Sequence, residues 1–174
     1  MATDRDQAAI AFNYVRGLFG AVPLLSGLVE RVTADTIDLA TGASITIATC
    51  GYRGSRGRTV CLAIYDEVAF WRSDEYATPD VEVDAAISPG LARWPGSLKI
   101  LISSAYRRQG LLYQRWRESF GVDDDDTLVV VGGTSTFNPT FDSQVIEREL
   151  ARDPERASAE YLCRWRDDLV SFID

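Results

Sequence analysis

The spacing of apolar residues changes along the chain and divides it into predicted helices and strands. Near the start, four apolar residues recur at helical spacing: Ala8, Phe12, Val15 and Phe19. Thr3 and Asp6 have the spacing of a capping box, so we expect a helix to begin here. From residue 36 the apolar period changes to two, and the Thr41-Gly42 pair predicts a β-hairpin over about residues 36–49.

Three continuous apolar runs follow and define the predicted sheet: Val60–Tyr65, Leu98–Ile102 and Thr127–Val131. Runs without polar alternation are typical of strands buried on both faces. Helical patterns accompany them over about residues 81–92, 109–120, 142–152 and 155–165. Strands that alternate with helices favour an α/β layered fold, with a mostly parallel sheet flanked by helices.

Length and composition are those of a globular domain. The 174 residues are 46% apolar and 25% charged. No apolar run approaches the ~20 residues of a membrane span, and residues 1–20 lack the pattern of a signal peptide. The three cysteines form no CxxC pair, which is typical of free thiols in a reducing compartment. We therefore expect a cytoplasmic protein that contacts no membrane.

The sequence contains no histidine, which excludes several kinds of site. A Ser-His-Asp triad, a Cys-His pair and any His-ligated metal centre are ruled out. Proton transfer would fall to carboxylates, Lys, Tyr, Cys or water. The formal net charge of −8 also argues against a surface that coats nucleic acid as a whole, although a local basic patch could still bind DNA.

Two adjacent carboxylates, Asp66 and Glu67, follow the first apolar run. Ligands of open α/β sheets bind at the carboxyl ends of strands, and adjacent residues of an extended chain point in different directions. Asp66 can then hold Mg²⁺ while Glu67 orients or deprotonates a water for attack on a phosphate, which is the layout of a Walker B element. A solvated acidic turn is the alternative, since such short strings are common.

Ser103 and Ser104 follow the second apolar run, and the 37 residues from Asp66 to Ser103 are ample for a crossover connection. Their hydroxyl groups could sense a γ-phosphate or a polarised water beside the acidic pair. Capping of the next helix is the alternative, and on the two serines alone it is favoured.

Two arginine-rich segments offer contacts to phosphates. Arg56 and Arg58 precede the first apolar run and are candidate cofactor-binding residues, with a solvated loop as the alternative. Four further arginines surround the 109–120 helix, where a solvated face is expected rather than a nucleic-acid surface: Arg107, Arg108, Arg115 and Arg117. The Walker A pattern GxxxxGK[ST] does not occur in the sequence.

The order of these motifs resembles the large subunit of tailed-phage terminases, the motor that packages viral DNA. Arg56–Thr59 running into Val60–Phe70 is similar to the family's arginine-glycine segment and Walker B element. Ile100–Tyr106 resembles the coupling motif of its ATPase. Thr136–Pro139 and Glu160–Asp168 resemble the segment that leads out of the ATPase domain.

The resemblance implies part of an ASCE-type, RecA-like P-loop NTPase domain over residues 1–133 and a helical segment over residues 134–174. In that family the Walker A segment lies upstream of these motifs and a nuclease domain lies downstream. The chain would therefore be the central piece of a longer motor. Because the Walker A backbone and lysine hold the phosphates, we expect weak ATP hydrolysis, or none, from this chain alone.

The same resemblance implies residue roles and partners. Asp66 would bind Mg²⁺, Glu67 would be the catalytic base for ATP hydrolysis, and Ser103 and Ser104 would couple hydrolysis to movement. The implied partners are double-stranded DNA, the portal and the small terminase subunit, in the host-cell cytoplasm, and a homo-oligomer is allowed.

Two other functions remain open from the sequence. One is a non-catalytic DNA-packaging or assembly module that uses the same fold. The other is a metal-dependent nuclease built on Asp66 and Glu67, which would need further acidic residues to converge on that pair.

Overall fold

The fold is taken from a computed structural model that describes residues 1–50, 57–71 and 79–167. Within these ranges the chain forms seven α-helices: α1 (Arg5–Ala21), α2 (Pro23–Ser26), α3 (Pro79–Leu91), α4 (Leu111–Ser119), α5 (Thr134–Phe137), α6 (Ser143–Arg152) and α7 (Pro154–Leu162). It also forms five strands there: β1 (Val29–Val32), β2 (Thr36–Leu39), β3 (Ser44–Thr46), β4 (Leu62–Asp66) and β5 (Leu98–Ile102). The protein is thus a mixed α/β structure.

The chain divides into two compact units. The first unit consists of Met1–Asp66 and Trp71–Leu101, and the second of Glu67–Phe70 and Ile102–Asp174. None of the helices in the described ranges combines the length and the apolar composition that a bilayer span requires.

The predicted N-terminal helix is confirmed as α1, but a different residue caps it. The side chain of Asp4, rather than that of Thr3, accepts a hydrogen bond from the Gln7 backbone N–H at 2.9 Å. Asp at this position satisfies one of the amide groups that a helix start leaves without an internal partner. Ala8 and Phe12 are buried, as their helical spacing predicts.

The predicted hairpin is confirmed as β2 and β3, which pair antiparallel with Ile37 opposite Ile45. Gly42 adopts a φ of 82° in the turn between them, a conformation that glycine reaches without steric cost. The strand β1, which the apolar pattern did not predict, pairs antiparallel with β2 on its other side. Because β2 is the central strand of this sheet, its Ile37 is completely buried.

A separate parallel sheet of two strands contains β4 and β5. Both lie in predicted apolar runs, although β4 begins two residues later than expected. Ala63 and Tyr65 of β4 are buried, whereas Leu62 and Ile64 are exposed. Burial of β4 on both faces was therefore a wrong expectation. In the described residues, the packed side chains of β4 all lie on one face.

Helix α3, predicted over residues 81–92, packs on β4 and β5 through a polar network in the first unit. The Tyr65 hydroxyl donates a hydrogen bond to Asp84 Oδ1 at 3.1 Å, and Lys99 Nζ forms an ion pair with the same oxygen at 2.5 Å. Lys99 also donates to Ser88 Oγ at 3.1 Å. Both strands are thereby joined to one carboxylate of the helix, and Asp84 itself is buried.

Helices dominate the second unit. The helices α4, α6 and α7 confirm the predicted helical segments. Helix α7 begins at Pro154, and the preceding residue, Asp153, caps it because its side chain accepts a hydrogen bond from the Arg156 N–H.

The prediction of a third strand at Thr127–Val131 is wrong. These residues form no strand, and Leu128 is 87% exposed. A strand needs a neighbouring strand for its backbone hydrogen bonds, and within the described ranges these residues pair with none.

Candidate functional site

Glu67 lies in a sharp turn that directly follows β4. A 3-10 turn covers Val68–Phe70, and the Phe70 N–H donates a hydrogen bond to the Glu67 carbonyl at 2.9 Å. Glu67 itself has a φ of 53°, in the left-handed region that residues with a side chain rarely adopt. Such a conformation costs on the order of 1 kcal/mol and is enriched at functional sites.

Ser103 directly follows β5, and it contacts this turn within the second unit. Its hydroxyl donates a hydrogen bond to Glu67 Oε2 at 3.2 Å. The same hydroxyl oxygen accepts a hydrogen bond from the Ala69 N–H at 3.3 Å. Since a serine hydroxyl has one proton, acceptance from Ala69 directs that proton toward the carboxylate. The turn and the serine therefore hold the Glu67 side chain in a defined orientation.

Buried apolar residues lie close to this pair in the chain. Val68 directly follows Glu67, Ala105 lies two residues after Ser103, and both are buried. The rings of Phe70 and Tyr106 lie 4.7 Å apart between their centroids. Glu67 and Ser103 themselves are half-buried, so solvent water can still reach the site. A carboxylate that is oriented and solvent-accessible can accept a proton from a water molecule.

Asp66, the last residue of β4, belongs to the first unit. Both of its backbone polar groups form hydrogen bonds. The N–H donates to the Met1 carbonyl at 2.8 Å, and the carbonyl accepts from Trp71 Nε1 at 2.9 Å. Burial lowers the pKa of the Met1 ammonium, and the Asp66 carboxylate opposes part of that shift. The role of Asp66 in binding Mg²⁺ stays a prediction.

The remaining predicted site residues are placed as follows. Ser104 is half-buried and adjacent to Ser103, but the hydroxyl that bonds Glu67 is that of Ser103. Arg58 is exposed in the first unit, and its carbonyl lies against Gly90. Arg56 lies outside the described residues. The described contacts therefore bring Glu67 and Ser103 together and leave the roles of Ser104, Arg56 and Arg58 as predictions.

Mg²⁺ is bound in proteins through one or two carboxylates, completed by water and phosphate oxygens. Asp66 and Glu67 each carry a carboxylate, and a role for either one in metal binding stays a prediction. Across residues 1–50, 57–71 and 79–167, no group of three or more Cys, Asp or Glu side chains forms a metal-binding cluster.

One participant in the site was not predicted from the sequence, namely the backbone N–H of Ala69. No residue pattern signals it, because any residue at that position supplies the same group. The turn that presents it could have been suspected from the end of the apolar run at Asp66, but not its left-handed start at Glu67.

Comparisons with known proteins assign no family to the chain. No protein-family model matches it, and none of the curated proteins matches it significantly. Its function is therefore inferred from the geometry around Glu67 and from the resemblance of its ordered motifs.

Proposed function

We propose that this chain is part of an ATP-driven DNA-packaging motor of the terminase large-subunit type, acting in the host-cell cytoplasm, and that its α/β structure is a partial RecA-like ATPase domain. The observation that carries this proposal is the hydrogen bond from Ser103 Oγ to Glu67 Oε2 at 3.2 Å. The sequence predicts Glu67 as the Walker B glutamate and Ser103 as a coupling residue, and the two lie 36 residues apart in the chain.

The contact has the chemistry that coupling requires. A residue that senses the state of the nucleotide has to interact with the group that activates water, and here a serine hydroxyl bonds directly to the carboxylate. A change in the position of Ser103 would reorient Glu67. Since a general base must lie within hydrogen-bond reach of the water it activates, that reorientation would alter the hydrolysis rate.

The proposed mechanism assigns one task to each residue. Glu67 accepts a proton from the water that attacks the γ-phosphate, and Ser103 holds the Glu67 carboxylate in position. Asp66 would bind Mg²⁺, which neutralises charge on the phosphate oxygens. The phosphate-binding backbone and lysine of a Walker A segment do not occur in this sequence, so tight ATP binding requires a contribution from further sequence.

The coding DNA upstream of Met1 provides the first test. We expect an in-frame GxxxxGK[ST] there, because the proposed motor cannot hold the triphosphate without it. If no such pattern is encoded upstream, the motor proposal is withdrawn and the non-catalytic packaging or assembly module becomes the better explanation.

Phosphate release from Mg-ATP by the complete encoded protein provides the second test. Glu67→Gln should lower kcat by about 10²-fold or more, the usual effect of losing a general base, while nucleotide binding is retained. Glu118→Gln is the matched control, because Glu118 is an exposed residue of α4 and the substitution makes the same charge change. Full activity in Glu67→Gln would refute the assignment.

The coupling role of Ser103 needs a separate measurement. Ser103→Ala removes the hydroxyl that orients Glu67, so kcat should fall with little change in KM. Ser143→Ala, at an exposed serine of α6, serves as its control, and Ser104→Ala separately tests the predicted role of Ser104. Equal effects of Ser103→Ala and Ser143→Ala would contradict a specific role for the Ser103–Glu67 hydrogen bond.

A further inference from the structure

The first residue of the chain is bonded like a residue of a parallel β-strand. The Met1 nitrogen donates a hydrogen bond to the Ile64 carbonyl at 2.5 Å, and the Met1 carbonyl accepts one from the Asp66 N–H at 2.8 Å. Bonds to the two residues on either side of a counterpart are the repeating unit of a parallel ladder. The counterpart here is Tyr65, so Met1 is in register with β4.

Ala2 continues this pattern on the opposite edge. Its N–H donates to the Ala48 carbonyl at 3.0 Å and its carbonyl accepts from the Cys50 N–H at 3.0 Å, which pairs Ala2 in parallel with Thr49. Successive residues of a β-strand direct their backbone groups to opposite edges in the same way. Met1 and Ala2 therefore lie between β4 and residues 48–50, as the last two residues of an interior strand would.

The edge of β4 that Met1 occupies extends further back along that strand. The Leu98 N–H donates to the Cys61 carbonyl at 2.9 Å, so odd-numbered residues here face β5 and even-numbered residues face Met1. The N–H and C=O of Leu62 and the N–H of Ile64 accordingly lie on the Met1 edge. In the part of the chain that the structure describes, β5 is the one strand paired with β4. Because Leu62 and Ile64 are also 48% and 41% exposed, this edge is a template for another strand.

We propose that the chain preceding Met1 in the complete encoded protein runs along this edge as a parallel β-strand. The residue two places before Met1 would donate to the Leu62 carbonyl and accept from the Ile64 N–H, which repeats the pair of bonds that Met1 makes. Covalent continuity selects this occupant, because a segment attached to Met1 is already at the edge and in register with β4. We expect β-branched or aromatic residues directly before Met1, and no proline two places before it, because that position needs its N–H.

Such a strand would change the place of Asp66 in the sheet. The strand β4 would have parallel neighbours on both edges, and ligands of open α/β sheets bind outside the carboxyl ends of such strands. The inference rests on the proposed function in one respect, namely that both need encoded sequence before Met1. It adds to that function the place where the preceding sequence joins the sheet.

Hydrogen–deuterium exchange, resolved at single amides by NMR, tests the natural occupant. The Ile64 amide should exchange at least about 10²-fold more slowly in the complete encoded protein than in residues 1–174 alone, because hydrogen-bonded strand amides are protected. The Thr46 amide is the control. Thr46 is exposed on β3, an outer strand of the other sheet, so its exchange should be the same in both proteins. Equal exchange of the Ile64 amide in the two proteins would overturn the proposal.

A chosen extension of the chain tests the edge itself. Val-Thr-Val-Thr, placed between a new initiator methionine and Met1, should protect the Ile64 amide. Val-Thr-Pro-Thr at the same place should not, because the proline two places before Met1 cannot donate to the Leu62 carbonyl. If the Ile64 amide exchanged equally in the two extended chains, the proposed ladder would be wrong.

This inference and the proposed motor can fail separately. Protection of the Ile64 amide by an upstream sequence that lacks GxxxxGK[ST] would support the strand and lead to withdrawal of the motor. An encoded GxxxxGK[ST] without protection of the Ile64 amide would have the reverse effect.

Discussion

The Tyr65 hydroxyl donates a hydrogen bond to Asp84 Oδ1 at 3.1 Å, in a region where Tyr65 is 0% and Asp84 only 7% exposed. Burial, and then the Asp84 carboxylate, raise the pKa of Tyr65 well above its usual value. Both act in the same direction, because a tyrosinate would be poorly solvated and would face a carboxylate of the same charge. Tyr65 therefore stays protonated in the folded protein over the pH range in which ordinary tyrosines ionise.

An absorbance titration of tyrosinate should reveal this protonation. Tyr65→Phe is expected to leave the absorbance change of the folded protein between about pH 9 and 11 unaltered, because Tyr65 does not ionise there. The same titration in concentrated denaturant is the control, because an unfolded chain ionises its tyrosines near pH 10 and the loss of Tyr65 should then reduce the amplitude. A reduced amplitude in folded Tyr65→Phe would show that the buried hydroxyl titrates normally.

The same group should make stability depend on pH. In the unfolded chain Tyr65 ionises near pH 10, whereas in the folded protein it retains its proton. Its contribution to stability is therefore complete below pH 10 and is lost progressively above it, by up to about 1.4 kcal/mol per pH unit. Urea unfolding at about pH 9 and pH 11 should show a larger loss for the wild type than for Tyr65→Phe. Equal losses would contradict the expectation.

Asp84 and Asp38 offer a comparison between a buried and a surface ion pair in the first unit. Asp84→Ala should lower the free energy of unfolding by about 3 kcal/mol, since it leaves the Tyr65 hydroxyl and the Lys99 ammonium without their shared acceptor. Asp38 pairs at 2.8 Å with Arg31, whose side chain is 71% exposed, so Asp38→Ala should cost less than about 1 kcal/mol. Denaturant unfolding measures the loss of unfolding free energy in each variant. Similar losses in the two variants would argue against a stabilising role for the buried network.

Gly90 and Gly17 should respond oppositely to the same substitution. A Cβ at Gly90 would lie 2.5 Å from the Arg58 carbonyl oxygen, so Gly90→Ala should destabilise the protein by about 1–3 kcal/mol. Gly17 lies inside α1 with nothing within 4 Å of such a Cβ, so Gly17→Ala should stabilise it by up to about 1 kcal/mol. Thermal unfolding of the two variants shows whether each substitution raises or lowers stability. An unchanged stability in Gly90→Ala would show that the contact with the Arg58 carbonyl adjusts easily.

The left-handed conformation of Glu67 predicts a reversal of the usual preference for alanine over glycine. Glu67→Gly should be more stable than Glu67→Ala by about 1 kcal/mol, because only glycine adopts a φ of 53° without steric cost. At Glu147, an exposed residue inside α6, the order should be the opposite by a similar amount. Unfolding free energies of the four variants check this, and an identical order at both positions would rule out strain at Glu67.

Within the described residues, local patterns were sufficient for most helices and for four of the five strands. The spacing of Ala8 and Phe12 predicted α1, and Pro154 marked the start of α7, because helical periodicity and end preferences depend only on residues a few positions apart. The same patterns failed for Thr127–Val131. An apolar run has the composition of a strand whether or not another strand lies beside it, and its own residues cannot supply that partner.

The candidate site likewise combines features that the sequence predicts with contacts that only the packing of the chain decides. The sequence by itself determined that Asp66, Glu67 and Ser103 end two apolar runs, which are properties of adjacent residues. Only the tertiary structure decided that Ser103 bonds Glu67 across 36 residues and that the ring of Trp165 meets that of Trp116. Such contacts depend on how remote segments pack, since the free energy that selects them comes from burial and hydrogen bonding throughout the folded chain rather than from any local preference.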